Sequence, residues 1–225
     1  MSLSVKQAEP RVDPRVRRTR QLLRRALLGL MSEKSFQALT VQDIAGRATV
    51  NRVTFYAHFA DKYALLEDTI REMIHERLRS RLPEGSTFSP GNLQRLVLTV
   101  CEFLADVGGD CPPPHGQMEP VMEKQIKAEL FDVLRIWLVE ARSGNPRRRP
   151  TAEQAAMVTS WAIYGAAAQW HQQPEAGRAK DYAREILPLI LSGLEPALAS
   201  GGPHRRPRHL RPGQVDRGVR GAFPR

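Results

Sequence analysis

Apolar side chains recur every three or four residues along most of the chain, and this spacing predicts α-helices throughout. The alternation of apolar and polar residues that is typical of half-buried strands is not sustained anywhere. Asp13 and Pro14 supply a helix cap and a first-turn proline, so we expect the first helix to begin at Pro14 and to end near residues 31–34. Its apolar face is formed by Val16, Leu23, Leu27 and Leu30.

Three helix-capping signals follow in close succession. Thr40 and Asp43 form a T-x-x-D box, which predicts the start of a short helix. Asn51 caps a second short helix, and Asp61 opens a long third one. Two short helices joined by about three residues and flanked by longer helices are typical of a helix-turn-helix motif. We place this motif at about 40–59.

The same spacing predicts further helices beyond a turn-rich break. They lie at about 93–104, 126–141, 151–174 and 179–198. Pro188 falls inside the last of them and is expected to kink it.

The fold predicted from these elements is all-α, with about nine helices. Three N-terminal helices, which contain the helix-turn-helix motif, precede a larger helical domain. The divisions are a flexible N-terminal arm (1–13), the helix-turn-helix domain (14–75), the larger domain (76–200) and a disordered basic tail (201–225).

The net charge of +10 is unevenly distributed. Residues 1–82 carry 16 Lys and Arg against 9 Asp and Glu, and residues 201–225 carry 7 against 1. Residues 83–200 carry 11 against 14. Both ends therefore suit a polyanionic partner. For the tail, arginines that only keep the surface solvated are the alternative explanation.

Composition and motifs argue against several classes of protein. No apolar run approaches the roughly 20 residues of a membrane helix, and the N-terminus lacks the apolar stretch of a secretory signal. Two cysteines make no disulfide framework, so we expect a protein of the reducing cytosol. The chain contains no P-loop, no His-Glu-x-x-His and no Gly-rich nucleotide turn. We therefore expect neither an enzyme nor a cofactor.

The segment from Asn51 to Phe59 combines aromatic side chains with little charge. Phe55 and Phe59 are four residues apart and are predicted to face the core together. The other faces carry short or flat side chains that fit a major groove about 12 Å wide. The candidate DNA-contacting residues are Thr40, Asn51, Arg52, Val53, Thr54, Tyr56, Ala57, His58 and Lys62. The alternative is an ordinary core helix, in which aromatics at this spacing are common.

The candidate DNA contacts fall into two groups. Arg52 suits a bidentate contact with guanine, and Val53 or Ala57 suits a thymine methyl group. Tyr56, His58 and Lys62 are expected at phosphates, as is Thr40 with the N–H groups of its helix start.

The ordered set of elements resembles the N-terminal domain of the TetR/AcrR family of transcriptional regulators. The matching positions are Thr40, Ile44-Ala45, Ala48, Val50, Thr54, Tyr56, His58-Phe59, Lys62 and Leu65. The chain departs from the family pattern at two of its positions. Asn51 replaces the usual cap Ser, and Thr49 replaces the turn Gly. A β-branched residue resists the left-handed conformation of a glycine, so a slightly different turn is expected.

The resemblance implies an Ω-shaped homodimer that binds a palindromic operator in double-stranded DNA. It implies that the three N-terminal helices form the DNA-binding domain and that the larger helical domain serves dimerisation and ligand binding. It also implies a small-molecule inducer, of unknown identity, that moves the two recognition helices apart. Most proteins of this kind are repressors. A partner-binding coactivator that keeps the fold but does not bind DNA is the alternative.

Candidate residues in the larger domain are predicted from residue type and helical spacing. The candidate ligand-pocket residues are Cys101, Phe103, Met118, Met122, Phe131, Trp137, Trp161 and Tyr164. The candidate dimer-interface residues are Ala162, Gly165, Ala168, Ile186, Ile190 and Leu194. A core role within one chain is the alternative for both sets. Cys101, Cys111 and His115 lack a clear fourth ligand, so no metal site is predicted.

Overall fold

The structure is a computed structural model that describes residues 13–110, 118–142, 150–173 and 177–198. These residues form eight α-helices and one short 3-10 helix (Phe36–Ala38), without a strand. The α-helices are α1 (Pro14–Met31), α2 (Val41–Arg47), α3 (Arg52–His58), α4 (Lys62–Arg81), α5 (Pro90–Asp110), α6 (Glu119–Ala141), α7 (Ala152–His171) and α8 (Ala179–Leu198). The all-α prediction is confirmed, and the described residues form eight α-helices where about nine were predicted.

Side-chain caps fix the starts of the first four helices, as the sequence predicts. Asp13 accepts a hydrogen bond from the N–H of Arg15 at the start of α1. Thr40 and Asp43 form a reciprocal capping box at α2. Asn51 and Asp61 accept backbone N–H groups at α3 and α4. Each cap satisfies donors that a helix start leaves without a partner, so the boundaries of these helices are set locally.

Two hydrophobic clusters divide the chain, and α4 belongs to both. The first cluster joins α1, α2 and α3 to the start of α4 and ends at Ile70. The second begins at Ile74 and joins the end of α4 to α5, α6, α7 and α8. The N-terminal helix-turn-helix domain and the larger domain are therefore connected by one unbroken helix.

Ion pairs hold α4 to its neighbours on both sides. Asp68, which is buried, accepts hydrogen bonds from Arg24 of α1 at 2.7 Å and from Arg71 at 2.7 Å. Toward the larger domain, side chains of α4 pair with side chains of α5 and α6. These pairs are Glu67–Lys124, His75–Glu129, Arg77–Asp106 and Arg81–Glu102. Most of these side chains are partly exposed, so the pairs orient α4 more than they stabilise it.

The later helices follow the predicted pattern, but α5 and α6 begin earlier than predicted. α6 begins at Glu119, earlier than its first regularly spaced apolar residue, with Pro120 in its first turn. α8 runs from Ala179 to Leu198 through Pro188 and Pro196. The helix is continuous at Pro188, and the kink expected there remains a prediction. In the part of the chain that the structure describes, no helix is long and apolar enough to cross a bilayer.

Candidate functional site

α3 presents one face to the core and another to the outside. Phe55 is completely buried and Phe59 is 5% exposed, which confirms both as core residues. Their rings lie 6.1 Å apart, in the cluster that contains Ile44 and Leu65. The two phenylalanines therefore fix the rotation of α3 about its axis and decide which residues it exposes.

The outward face of α3 carries most of the predicted DNA contacts. Val53 is 75% exposed and Tyr56 is 50% exposed, which are high values for apolar side chains. Asn51, Arg52 and Ala57 are also exposed. The Arg52 guanidinium carbon lies 5.9 Å from the centre of the Tyr56 ring. Thr54 and His58 are half-buried at the sides of this face.

The turn between α2 and α3 has the geometry that glycine usually provides, although Thr49 occupies it. Thr49 has a φ of +56°, in the left-handed region. Its N–H donates to the carbonyl of Gly46 at 3.1 Å, and the N–H of Val50 donates to that of Ala45 at 2.9 Å. These two bonds define a Schellman motif at the end of α2. The expectation of a different turn is therefore wrong, and Thr49 instead bears the strain of a β-branched residue in this conformation.

Thr40 is engaged with its own helix start. Its N–H donates to the Asp43 carboxylate at 2.9 Å, and its hydroxyl donates at 2.8 Å. These two bonds, together with the Lys34 ammonium, lower the pKa of Asp43 to about 2. A carboxylate that stays ionised therefore lies beside the predicted phosphate contact. A phosphate contact by Thr40 remains a prediction.

Lys62 has an unexpected set of partners. Its ammonium donates to the carbonyls of Phe36, Gln37 and Leu39 at 3.1, 3.0 and 2.8 Å. It also lies 4.9 Å from the centre of the Phe36 ring. All three N–H donors of the ammonium are thus used within the protein. The predicted phosphate contact disagrees with this geometry, because Lys62 fastens the loop before α2 to the start of α4.

The arginines of α1 supply positive charge beside α3. Arg15, Arg17, Arg18 and Arg25 are exposed along α1. Arg20 is half-buried, and its guanidinium carbon lies 5.1 Å from the centre of the Phe59 ring. The basic surface of α1 therefore borders the outward face of α3, which itself carries little charge.

The predicted pocket residues are dispersed over several places. Phe103, Met118 and Met122 line a cavity of about 640 Å³ between the two hydrophobic clusters. Tyr164 joins the two methionines in an adjacent cavity of about 220 Å³. Trp137 lies in a cleft of about 800 Å³ between α4 and α6.

Three of the predicted pocket residues line none of these three cavities. Cys101 is completely buried in the second cluster, where burial raises the pKa of its thiol to about 12. Phe131 is partly buried at the edge of that cluster. Trp161 is 61% exposed, and the Lys127 ammonium lies 3.5 Å from the centre of its ring. The pocket prediction is wrong for Trp161, because the ring lies on the surface of α7.

The predicted dimer residues divide between surface and core. Ala162 and Gly165 are exposed on α7, whereas Ala168 and Ile186 are half-buried. Ile190 and Leu194 are buried within their own chain, so the interface prediction is wrong for these two residues.

Other residues form the outward surface of α7 and α8. Val158 is 63% exposed and Leu189 is 76% exposed, and Trp161 and Gly193 are exposed with them. We define the α7–α8 face as Val158, Trp161, Ala162, Gly165, Leu189 and Gly193. Val158 lies at helical spacing from the predicted Ala162 and Gly165, and this spacing is the sequence signal that could have added it to the predicted set.

The part of the chain that the structure describes holds no group of three His, Cys, Asp or Glu side chains suited to a metal ion. Cys111 and His115 lie outside the described residues.

The fold and the outward face of α3 define an all-α protein with an N-terminal helix-turn-helix domain. Residues 23–69 match the family described as "Bacterial regulatory proteins, tetR family". The chain is therefore similar to the TetR family over this domain, which is about a fifth of its length. The family is one of regulatory proteins rather than of enzymes.

One curated relative is similar to part of the chain, and solved structures are similar to its fold. Over 72 residues, or 32% of its length, the chain is 36% identical to an uncharacterised HTH-type transcriptional regulator, YxbF, of Bacillus subtilis (strain 168). The matched part spans 19% of that relative's length. The fold is similar to that of FadR from Thermus thermophilus, a TetR-family repressor solved with lauroyl-CoA. That match has a TM-score of 0.54 and 22% identity, over 84% of this chain and 98% of the other.

A second solved structure is similar over much of the chain. RolR, solved with resorcinol, matches with a TM-score of 0.51 and 16% identity, over 83% of this chain and 96% of the other. At such identities these two likenesses concern the fold alone.

Proposed function

We propose that the protein is a ligand-responsive transcriptional regulator, most simply a repressor in the bacterial cytosol, that binds a palindromic DNA operator as a homodimer. The observation that carries this proposal is the outward face of α3. Val53 and Tyr56 are exposed on a helix whose rotation is fixed by buried Phe55 and Phe59. An exposed, nearly neutral helix of small and flat side chains suits a major groove.

The face allows distinct roles for its residues. Arg52 and Val53 lie in the first turn of α3, the end that a recognition helix directs at base edges. Arg52 reads guanine and Val53 or Ala57 contacts a thymine methyl group. Tyr56 and His58 contact phosphates, and Thr54 and Asn51 position the helix against the groove. The exposed arginines of α1 supply the salt-dependent attraction that α3 lacks.

The α7–α8 face supports the homodimer. Its exposed Trp161 and Leu189 alternate with Ala162, Gly165 and Gly193, whose small side chains permit close approach of a second pair of helices. Two copies joined there carry two copies of α3, and half-sites about one helical turn apart match such a pair.

The cavities next to α4 support a response to a small molecule. In the two fold relatives, lauroyl-CoA and resorcinol are the molecules in the structures. In this chain, a ligand can prefer a state in which the two α3 helices are spaced differently from the DNA-bound state. Such a ligand lowers the affinity for the operator by the same coupling free energy by which the operator lowers the affinity for the ligand.

Selection of genomic fragments tests the function directly. Full-length protein is incubated with sheared DNA of the source bacterium at moderate salt, and the retained fragments are sequenced. The expected result is enrichment of one palindrome with half-sites about one helical turn apart. Retention without any shared palindrome would contradict the proposal and favour a partner-binding coactivator.

A further inference from the structure

The cavity of about 640 Å³ lies at the seam between the two hydrophobic clusters. We call it the seam cavity. One wall comes from α1 and α4, with Met31, Leu66 and Met73 among its residues. The other wall comes from α5 and the start of α6, with Phe103 and Met122. A molecule in this cavity touches the helix-turn-helix domain and the larger domain at the same time.

Methionine is concentrated in the lining of the seam cavity. The sequence has 6 methionines, and four of them line the cavity: Met31, Met73, Met118 and Met122. Thioether side chains are flexible and polarisable, so they adapt to irregular apolar shapes. The lining therefore suits an apolar molecule without demanding one rigid outline.

The polar groups of the lining leave no charge for a ligand to neutralise. Arg77 and Asp106 line the cavity and pair with each other at 2.6 Å. The Thr69 hydroxyl donates to the carbonyl of Leu65 at 2.7 Å, and the Ser32 hydroxyl donates to that of Gly29 at 2.8 Å. Since their single protons are used, both hydroxyls can only accept a further hydrogen bond. A charged ligand would lose hydration here without gaining a partner.

We propose that the seam cavity binds an uncharged apolar molecule, such as a long-chain alcohol, that offers at most a hydroxyl donor. The regulatory role of this ligand rests on the proposed function, whereas its binding to the seam cavity does not require DNA. Charged amphiphiles of equal length should bind more weakly, because Arg77 and Asp106, which are partly exposed, already neutralise each other. The neutral molecule wedges between α1 and α6 and favours the state in which these helices are further apart.

Three probes with one ten-carbon chain test the ligand class. 1-Decanol, decanoate and decyltrimethylammonium are compared by displacement of the neutral fluorophore N-phenyl-1-naphthylamine from the full-length protein. Decanol is used below its solubility limit and the two ions below their micellar concentrations. The expected result is that decanol binds at least about tenfold more tightly than either ion. Equal or tighter binding of one of the ions to the wild type would overturn the proposal.

Two isosteric variants sharpen the role of the ion pair. Asp106→Asn leaves Arg77 without its carboxylate, so binding of decanoate should improve at least about threefold. Arg77→Gln leaves Asp106 without its guanidinium, so binding of decyltrimethylammonium should improve at least about threefold. Neither substitution should change the binding of decanol by more than about twofold. Specificity that stays unchanged in both variants would show that the probes bind elsewhere.

A variant that fills the seam cavity tests whether decanol binds there. Met73→Trp, on a half-buried side chain, should weaken decanol binding at least about tenfold. Val139→Trp makes a similar change at a surface residue that is 49% exposed and should leave decanol binding unaltered. If both variants bind decanol like the wild type, the seam cavity is not the site.

The regulatory role is tested on an operator selected from genomic DNA. Decanol should release that operator from the wild type and not from Met73→Trp. If no operator is found but the probe pattern holds, only the proposed function fails. If an operator is found and the probe pattern fails, only the seam-cavity proposal fails.

Discussion

The protein exposes apolar side chains on two helical surfaces with different surroundings. On α3, Val53 and Tyr56 stand beside Asn51 and Arg52, close to the arginines of α1. On the α7–α8 face, Trp161 and Leu189 stand among Ala162, Gly165 and Gly193. Polar and cationic neighbours suit a hydrated, anionic groove, whereas small neighbours suit close contact with another helix. Exposed apolar area alone therefore does not identify a partner; the residues around it do.

The largest expected effect concerns the α7–α8 face. Leu189→Arg places a charge on this face at a residue that is 76% exposed, so the fold of the single chain should be unaffected. The proposed dimer should weaken by about a hundredfold or more, because two desolvated charges would meet across a symmetric interface. Sedimentation velocity over a range of concentrations measures this change. Ile136→Arg, at a residue 50% exposed on α6, is the matched control and should remain dimeric.

The next effect concerns the outward face of α3. Arg52→Ala should reduce affinity for the selected operator by about 1–3 kcal/mol and relax preference at one base pair in each half-site. Fluorescence anisotropy with the operator and with single-base variants measures both quantities. An equal loss on every sequence would instead assign Arg52 to a phosphate.

An effect of similar magnitude is expected for a substitution of Lys62, but on the free energy of unfolding rather than on DNA affinity. Lys62→Met removes three hydrogen bonds from an ammonium to backbone carbonyls, so the free energy of unfolding should fall by about 2 kcal/mol. Urea denaturation followed by circular dichroism measures it. If stability is unchanged while the slope of DNA affinity against salt falls by about one, Lys62 contacts phosphate as its sequence context predicts.

A smaller effect of opposite sign is expected at the turn before α3. Thr49→Gly relieves a left-handed β-branched residue and should raise the free energy of unfolding by about 1 kcal/mol. Ala48→Gly, one residue earlier in right-handed conformation, should lower it by up to about 1 kcal/mol. Thermal unfolding of the two variants distinguishes relief of strain from a general effect of glycine.

The smallest effect is a dependence on pH at the α2 cap. The pKa of Asp43 is lowered from 3.8 to about 2, so its contribution to stability is present above pH 4 and is lost as the pH falls toward 2. Asp43→Asn should flatten the stability profile between pH 4 and pH 2. Asp61→Asn, at the cap of α4, is the comparison variant. Chemical denaturation at a series of acidic pH values checks the difference. Identical stability profiles for wild type and Asp43→Asn would show that Asp43 does not cause the loss of stability at acidic pH.

The sequence predicts the N-terminal helices well because their signals are local. Asp13, Thr40, Asn51 and Asp61 each cap the helix that follows, and a cap needs only its next few residues. The burial of Phe55 and Phe59 follows from their spacing on one short helix. These features require no knowledge of distant parts of the chain.

The predictions that failed depend on contacts between distant residues. The three carbonyls bound by Lys62 come from a loop more than twenty residues earlier, and no local pattern reveals them. The apolar residues of α8 alone do not say which side meets α5 and α7, so Ile190 and Leu194 were assigned outward. Trp161 was placed in a pocket by its residue type, although its neighbours on α7 decide its exposure.

One consequence follows from α4, the helix shared by both clusters. Its 20 residues make a rod about 30 Å long, given the rise of about 1.5 Å per residue. Because no break separates Ile70 from Ile74, a tilt of about 6° at one end moves the other by about 3 Å. That displacement is close to the 3.4 Å step between successive base pairs. A barely visible rearrangement at the distal end of α4 is thus enough, by lever geometry alone, to put α3 out of register with a base pair.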